Sequence, residues 1–238
     1  MNRWIHTSRS FIFICILFLC QDIHAQITSI DIVGGPSYSY RILDSSRGDD
    51  IWERIIGENS DNRAKINYIA GFNIYLNASE KMDFKIGARY VEKGYHTRRS
   101  LGFTPSTRNT RFFTNSYIEV PLMIRGYIRQ EKDLYSFIEL GFAPAYLINQ
   151  TITSVEFGEK NTEPSTLDYP KIDNPFILSF GSDFQYNNVI FFGQVLSKLS
   201  IPGFETVFGD REQFFEIALE FGIRYSFNPE ERRRENTP

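Results

Sequence analysis

The sequence predicts an all-β protein: an eight-stranded antiparallel up-and-down transmembrane β-barrel with short periplasmic turns and long extracellular loops. Three observations predict this fold class. Apolar and polar residues alternate along eight segments, the connections between the segments are alternately long and short, and the last segment ends in an aromatic pair. A period of two indicates strands, because successive side chains of a strand point to opposite faces. Only every second residue of a membrane barrel faces lipid, so such a chain needs no continuous apolar run.

The N-terminal segment, residues 1–25, is predicted to be a secretory signal peptide. Arg3 and Arg9 precede an uninterrupted apolar run at residues 11–20, and Ala25 lies at the expected cleavage site. This run is too short to cross a bilayer as a helix, which needs about 20 residues. Both cysteines of the chain lie inside the segment, so we expect no disulfide and no thiol chemistry in the mature protein.

The composition excludes some function classes. The 238-residue chain has a formal net charge of −3, with 26 basic and 29 acidic residues, which is too mixed for a nucleic-acid-binding protein. No apolar run of about 18 residues occurs outside the signal segment, which excludes a helical membrane protein. Aromatic residues make up 16%, as expected for a barrel with two aromatic girdles, although a soluble β-sandwich shows this too.

The first four predicted strands are residues 27–40, 64–76, 82–98 and 115–129. Strands two to four alternate most clearly, with aliphatic and aromatic residues on one face and amide, glycine and charged residues on the other. In the fourth strand, Leu122 is predicted to face lipid and Arg125 the lumen. Pro121 lies in this strand and predicts a bulge, a bend or a pairing near a strand end, because proline cannot donate to a β-ladder.

The last four predicted strands are residues 134–151, 175–186, 189–199 and 213–227. The fifth contains Pro144, which likewise predicts a bulge, a bend or a pairing near a strand end. The sixth and seventh are joined by Asn187 and Asn188, a two-residue hairpin loop. The seventh has the weakest pattern, because residues 190–192 are apolar on both faces.

The connections alternate regularly in length. The long ones are residues 41–63, 99–114, 152–174 and 200–212, and the short ones are residues 77–81, 130–133 and 187–188. Membrane barrels have this pattern, whereas a soluble sandwich has no reason to show it. An even strand number places both ends in the periplasm. Residues 26–228 are therefore assigned to the barrel domain and residues 229–238 to a polar, disordered periplasmic tail.

The end of the last strand resembles the signal by which outer-membrane barrels are recognised for insertion. Its elements are Glu220, Gly222, Tyr225 and Phe227, in the pattern polar-x-Gly-x-x-aromatic-x-aromatic. The resemblance implies that barrel assembly machinery and outer-membrane lipid are partners. The chain departs from the usual pattern because 11 residues follow Phe227.

Two further segments resemble the PorT-like outer-membrane β-barrel family of the Gram-negative envelope. They are residues 116–125, with the sequence SYIEVPLMIR, and residues 84–90, with the sequence FKIGARY. The resemblance implies the fold and the cell outer membrane as location. One family member is linked to protein secretion and gliding, but no residue of this chain allows that role to be transferred.

The polar faces predict a lumenal charge network that stabilises the interior. Its members are expected to be Arg89, Glu119, Arg125, Glu139, Glu220 and Arg224, with Arg125 near Glu119 or Glu139. Other charges predicted to face inward are Asp31, Lys85, Arg129, Asp183 and Glu216. Eight strands leave a lumen just wide enough for side chains, and charges packed there must be paired. The alternative is a pore lined by the same charges.

No catalytic residue, cofactor or metal site is predicted. His96 is the only histidine after the signal segment and Ser100 follows it closely, which leaves an outer-membrane lipid hydrolase as an alternative. Acidic groups near Asp49 and Glu156 could bind calcium, but no spacing matches a defined motif, so solvated acidic loops are expected. Residues 49–58 could form a short amphipathic helix.

Three function hypotheses follow from these features. The first is a non-enzymatic integral outer-membrane protein that anchors external loops and supports envelope structure or a partner assembly, such as one for secretion. Its external loops would bind an envelope protein. The second is a small-solute pore, which predicts conductance and two further strands hidden within residues 41–63 or 152–174. The third is the lipid hydrolase, which depends on His96.

Overall fold

The computed structural model describes residues 27–44, 62–79, 81–100, 108–131, 133–156, 158–165, 171–200 and 211–227. The predicted signal peptide, the predicted tail and the predicted helix at residues 49–58 lie outside these residues. Every regular element in the described part of the chain is a β-strand, so the all-β prediction is confirmed. None of the described residues belongs to a helix that is long and apolar enough to cross a membrane.

The structure contains twelve strands. They are β1 (Ile27–Asp44), β2 (Asn62–Ser79), β3 (Met82–Ser100), β4 (Arg108–Glu119), β5 (Leu122–Glu131), β6 (Leu134–Phe142), β7 (Ala145–Glu156), β8 (Glu159–Pro164), β9 (Ile172–Asp173), β10 (Pro175–Tyr186), β11 (Val189–Ser200) and β12 (Arg211–Ser226). All their pairings are antiparallel.

The strand pairing closes on itself. The neighbours run β2-β1-β12-β11-β10-β6-β5-β3, and β3 pairs again with β2. β4 pairs with the second half of β3, from Arg89 to Ser100. We call this end the upper end of the barrel. β7 pairs in turn with β4, β8 and β9. β1 and β12, the first and last strands, are hydrogen-bonded to each other. The circuit from β2 through β1 and β12 to β3 therefore has no free edge.

The count of twelve differs from the eight predicted segments, and the two internal prolines explain part of the difference. Val120 and Pro121 separate β4 from β5, and Ala143 and Pro144 separate β6 from β7. The interruptions face each other, because the Val120 N–H donates to the Pro144 carbonyl at 2.9 Å. The predicted irregularity at each proline is therefore confirmed.

The third predicted connection, residues 152–174, is wrong in part. β7 continues to Glu156, and β8 returns beside it through a turn in which Gly158 has a φ of 86°. All six side chains of β8 are exposed, so the strand has no apolar face and no periodic signal in the sequence. The second predicted connection, residues 99–114, is also wrong in part, because β3 continues to Ser100 and β4 begins at Arg108. Most of the first and fourth, residues 41–63 and 200–212, lies outside the described residues.

Two faces of the closed sheet differ sharply in chemistry. The outside is apolar, with Ile32 73% and Phe221 60% exposed. On β3 this belt runs over the nine residues from Met82 to Tyr90, close to the ~9–11 residues that a strand needs to cross a bilayer. Exposed tyrosines mark its upper edge, at Tyr68, Tyr90 and Tyr146. Exposed aromatic residues also mark its lower edge, at Tyr186, Tyr225 and Phe227.

Candidate functional site

The charged side chains of the barrel are concentrated in the interior of the closed sheet. Charged side chains at inward strand positions are buried, each at most 3% exposed: Asp31, Asp83, Lys85, Arg89, Lys93, Glu119, Arg125, Glu139, Asp183, Lys198, Glu216, Glu220 and Arg224. Burying a charge costs several kcal/mol unless a partner of opposite sign lies close to it. The arrangement of partners therefore decides whether this interior stabilises the fold.

Arg125 on β5 is at the centre of the lower interior. Its guanidinium donates to Glu139 at 2.7 Å, to Asp183 at 3.0 Å and to the Tyr75 hydroxyl at 3.1 Å. It also lies over the Phe137 ring, 3.6 Å from the ring centroid. A planar guanidinium can bond in its plane and stack on its face at the same time, which an ammonium group cannot do.

A second guanidinium shares the same partners. Arg224 on β12 forms two bonds to Asp183, at 2.9 and 3.2 Å, and lies 4.1 Å from the Tyr75 ring centroid. Tyr75 donates its own proton to Asp31 at 2.6 Å. The Asn73 side chain donates to the other oxygen of Asp31, also at 2.6 Å. These contacts connect four strands across the interior.

Two further ion pairs complete this lower network. Lys85 donates to Glu139, whose second oxygen also accepts a bond from Ser179 at 2.9 Å. Arg89 donates to Glu220 at 2.7 Å, and Gln194 donates to the other Glu220 oxygen. The network holds four cations and four anions, which are Lys85, Arg89, Arg125 and Arg224 with Asp31, Glu139, Asp183 and Glu220. It is therefore neutral overall.

An apolar cluster also faces inward from the wall. It consists of Ile69, Val91, Met123, Ala143, Ile177, Leu196 and Ala218. Toward the upper end of the barrel, a second polar group pairs Lys198 with Glu119 at 2.9 Å and Lys93 with Asp173 at 2.6 Å. Among the described residues, the Glu216 carboxylate accepts no hydrogen bond, and its nearest cation is Lys198 at 3.7 Å.

The structure places all six predicted network residues inside, but not all in one cluster. Arg125 contacts Glu139, whereas Glu119 pairs with Lys198 instead. The side chain of Arg129 lies outside the described residues. Lys198 was not predicted, because residues 190–192 are apolar on both faces and leave the phase of β11 ambiguous. Asp173 was not predicted either, because it was assigned to a connection.

The four residues of the predicted assembly signal divide between the two faces of β12. Glu220 and Gly222 are at inward positions, and Glu220 is bonded to Arg89. Tyr225 and Phe227 are at outward positions, with ring centroids 5.5 Å apart. A Cβ atom added at Gly222 would collide with the Ile32 carbonyl and the Phe192 ring. Packing therefore gives one physical reason for a glycine at position 222.

The residues proposed for other chemistry are placed elsewhere. The His96 ring packs at a tilt against Phe112 with ring centroids 5.4 Å apart, and the Ser100 side chain lies outside the described part. Within the described ranges, no group of three or more His, Cys, Asp or Glu side chains could hold a metal ion. In those same ranges β8 pairs with β7 alone, so it is not part of the closed circuit.

A closed antiparallel sheet with an apolar outside and a charged inside defines a β-barrel protein of the outer membrane. The chain belongs to the outer membrane protein beta-barrel domain family, whose profile matches residues 25–200. No curated protein matches the chain.

Solved structures of three outer-membrane proteins are similar to this chain. Neisserial surface protein A is 8% identical, with a TM-score of 0.39, over 83% of this chain and 97% of its own. OprG from Pseudomonas aeruginosa is 12% identical, with a TM-score of 0.42, over 87% and 99%. The protease OmpT from Escherichia coli is 9% identical, with a TM-score of 0.41, over 86% and 98%. At these values the likeness says nothing about activity.

Proposed function

We propose that this protein is a non-enzymatic, non-conducting outer-membrane barrel of the PorT-like subtype. It anchors strands and loops outside the cell and supports envelope structure or a partner assembly, such as one for protein secretion. The observation that carries this proposal is the interior, where Arg125 and Arg224 are fully buried and share Asp183 across the lumen. An open aqueous pore would expose such groups to water.

The barrel in this proposal crosses the membrane eight times. β4 with β5, and β6 with β7, each count as one crossing interrupted at a proline. β9 and β10 likewise form one descending crossing, because β9 pairs with β7 and β10 with β6. An eight-stranded barrel has a lumen that side chains fill, which agrees with the packed interior.

The strands are longer than a membrane requires. β3 has 19 residues, and ten of them follow Tyr90 at the upper edge of the apolar belt. At ~3.3 Å per residue and a tilt of ~40°, these ten residues rise about 25 Å above the belt. β10 and β11 have only 12 residues each and end near that edge. The barrel wall therefore rises further above the apolar belt at β3 than at β10 and β11. A raised wall suits a scaffold that presents a binding surface.

The partners follow from this placement and are part of the proposal. Lipid contacts the apolar belt, barrel assembly machinery recognises β12 in the periplasm, and an envelope protein binds the raised strands. In this proposal His96 packs against Phe112 and takes no part in catalysis.

A conductance measurement tests the proposal. We expect the full chain, reconstituted in planar bilayers, to show no steady current steps, because the lumen is filled by paired charges. Heat-modifiable migration of the same sample on a detergent gel verifies that the protein is folded. Reproducible single-channel steps from such a sample would contradict the proposal in favour of a pore. Phospholipid hydrolysis that disappears in His96→Ala would contradict it in favour of a hydrolase.

A further inference from the structure

One buried carboxyl group of the interior differs from all the others in its bonding. Glu216 on β12 is 1% exposed, and among the described residues neither of its side-chain oxygens accepts a hydrogen bond. An ionised carboxylate has about four lone-pair sites, and leaving all of them unsatisfied in a buried place is strongly unfavourable. The other carboxylates of the two interior groups all accept at least one hydrogen bond: Asp31, Glu119, Glu139, Asp173, Asp183 and Glu220.

The two side chains directly opposite Glu216 are hydrogen-bond donors, and both are directed elsewhere. In the strand register Glu216 lies opposite Ser39 on β1 and opposite Lys198 on β11. The Ser39 hydroxyl donates its proton to the Gly94 carbonyl at 2.6 Å and accepts a bond from the Gly94 N–H at 2.8 Å. Lys198 donates to both Glu119 oxygens, at 2.9 and 3.0 Å, and its nitrogen lies 3.7 Å from Glu216. A charged carboxylate would attract both donors.

Each cation near Glu216 in the described part of the chain is bonded to another group. The charged side chains that act on Glu216 are Lys93 on β3, Glu119 on β4, Lys198 on β11 and Glu220 on β12. Lys93 donates to Asp173 at 2.6 Å. Arg41 follows Ser39 by two positions on the same face of β1, but its guanidinium donates to the Tyr95 hydroxyl at 2.7 Å and lies over that ring.

The charge balance of the interior is a second, independent observation. The lower network, with its four cations and four anions, is neutral. The upper group contains two cations, Lys93 and Lys198, and three carboxyl groups, Glu119, Asp173 and Glu216. If all three were ionised, this group would carry one negative charge that no cation of the group offsets. One proton on Glu216 removes that charge and leaves both ion pairs intact.

A metal cation is the alternative source of one positive charge. The ammonium group of Lys198, 3.7 Å from Glu216, would repel a metal ion bound to that carboxylate. Among the described side chains, no group of three or more His, Cys, Asp or Glu could hold such an ion. A proton needs neither further ligands nor space. The observations therefore favour a proton over a metal.

We propose that Glu216 holds a proton in the folded barrel at neutral pH and is a pH-sensitive latch for the ion pair between Lys198 and Glu119. With the proton in place, Lys198 bonds to Glu119 alone and connects β11 to β4, two strands that do not pair with each other. When Glu216 loses its proton at alkaline pH, its carboxylate competes for Lys198 and weakens this connection. The inference does not depend on the partner proposed above.

Infrared difference spectroscopy of the refolded full chain tests for the proton directly. A protonated carboxyl group absorbs above the amide bands, and an ionised one does not. We expect this absorption at neutral pH in the wild type, its loss in Glu216→Gln, and its reversible disappearance from the wild type at alkaline pH. Glu163→Gln, at an exposed position of β8, is the matched control and should keep the absorption. Its absence from the wild type at neutral pH, or its persistence in Glu216→Gln, would overturn the inference.

Thermal loss of the folded gel band tests the latch. At neutral pH, Glu216→Gln should have the midpoint of the wild type, because the amide replaces a neutral group of nearly the same shape. Glu119→Gln should lower the midpoint, since Lys198 loses both of its short bonds. In that variant Lys198 turns to Glu216, which should lose its proton and its infrared absorption. The double variant E119Q/E216Q should therefore be less stable than Glu119→Gln.

The double-variant result decides between coupled and independent groups. If Glu216→Gln had no further effect in the Glu119→Gln background, the two carboxyl groups would not compete for Lys198 and the latch would be refuted. A midpoint lowered by Glu216→Gln alone would mean that Glu216 is charged in the wild type. The infrared test does not need Glu119→Gln, so it decides the question of the proton even if that variant fails to fold.

The dependence of stability on pH has a definite sign. Folding takes up a proton at Glu216 above the pH at which an unfolded glutamate ionises, about 4.3. Raising the pH above this value should therefore lower the folded-to-unfolded ratio of the wild type by up to about tenfold per pH unit relative to Glu216→Gln. Parallel pH profiles of the two proteins would contradict the inference. A midpoint that responds to Na⁺ at constant ionic strength, but not to pH, would assign the site to a metal ion and refute the proton.

Discussion

At the scale of single residues, alternation predicts which side chains face the interior but not which ones pair with each other. Alternation correctly assigned Arg89, Arg125 and Arg224 to the inward face, because that depends only on the phase of each strand. It could not assign partners. Arg89 bonds to Glu220, which is 131 residues away and on a strand that does not pair with β3. Contacts across a lumen depend on the tilt and shear of the whole sheet, and no local pattern encodes them.

Two substitutions in β5, one at an outward and one at an inward position, should destabilise the protein for different reasons. Leu122 is 46% exposed and lies opposite Ile86, in the middle of the belt, so Leu122→Arg should cost ~2–4 kcal/mol of folding free energy in the bilayer. Arg125→Leu leaves Glu139 with only Lys85 and Ser179 and should cost ~3–5 kcal/mol. Urea unfolding in lipid vesicles measures both.

The replacement Arg125→Lys refines this test. An ammonium cannot reach Glu139, Asp183 and Tyr75 in one plane while stacking on Phe137, so only part of the stability should return. Full recovery with lysine would mean that charge alone matters. A Leu122→Arg protein as stable as the wild type would mean that position 122 does not face lipid.

Two Gly→Ala substitutions test whether packing is the reason for glycine at position 222. Gly222→Ala should destabilise the barrel by ~1–3 kcal/mol, because its Cβ collides with a backbone carbonyl that cannot move away. Gly126→Ala is the matched control, since its Cβ would meet only the Ile138 side chain at 3.9 Å. Thermal loss of the folded gel band measures both. Equal midpoints for the two variants would leave recognition, not packing, as the reason for glycine at position 222.

At the scale of elements, the sequence predicted the strands that have one apolar and one polar face. β10 was predicted with its observed bounds, because an apolar outside and a polar inside enforce a strict alternation. β8 was missed because it is exposed on both sides. The prolines were correctly expected to interrupt strands, but only the structure shows that the two interruptions are hydrogen-bonded to each other.

The last strand should govern assembly through its outward aromatic pair. Tyr225 and Phe227 are 50% and 46% exposed, so replacing both by serine removes no packing from the lumen. We expect this double variant to accumulate in the periplasm or be degraded, while deletion of residues 229–238 leaves insertion intact. Phe184→Ser with Tyr186→Ser is the matched control, because it removes similarly exposed rings from β10. Outer-membrane fractionation measures all three, and equal loss with the β10 control would show that Tyr225 and Phe227 act only as lipid anchors.

At the scale of the whole molecule, closure of the circuit is the property on which the others depend. β1 and β12 pair from Ser29 opposite Ser226 to Asp44 opposite Arg211, so the two ends of the chain complete the wall. The sequence predicted closure only indirectly, through an even number of segments and alternating connections. It could not predict that β4 and β7 would extend the wall beyond the apolar belt on one side, because that extension lacks the strict alternation of the belt.

A closed barrel of this kind should stay folded in detergent until it is heated. Each strand of the circuit is hydrogen-bonded on both sides, so no free edge is available at which detergent could begin to unfold the sheet. Unheated protein should migrate differently from boiled protein on a detergent gel, with a β-type circular dichroism spectrum. Ile223→Pro removes a ladder donor between Ile32 and Phe191 and should abolish the folded band. Lys160→Pro, in β8 outside the circuit, should preserve it, since only one exposed hairpin is affected. Identical migration of boiled and unheated wild-type protein would refute closure, and loss of the band in Lys160→Pro would mean that the outer hairpin is needed for the wall to close.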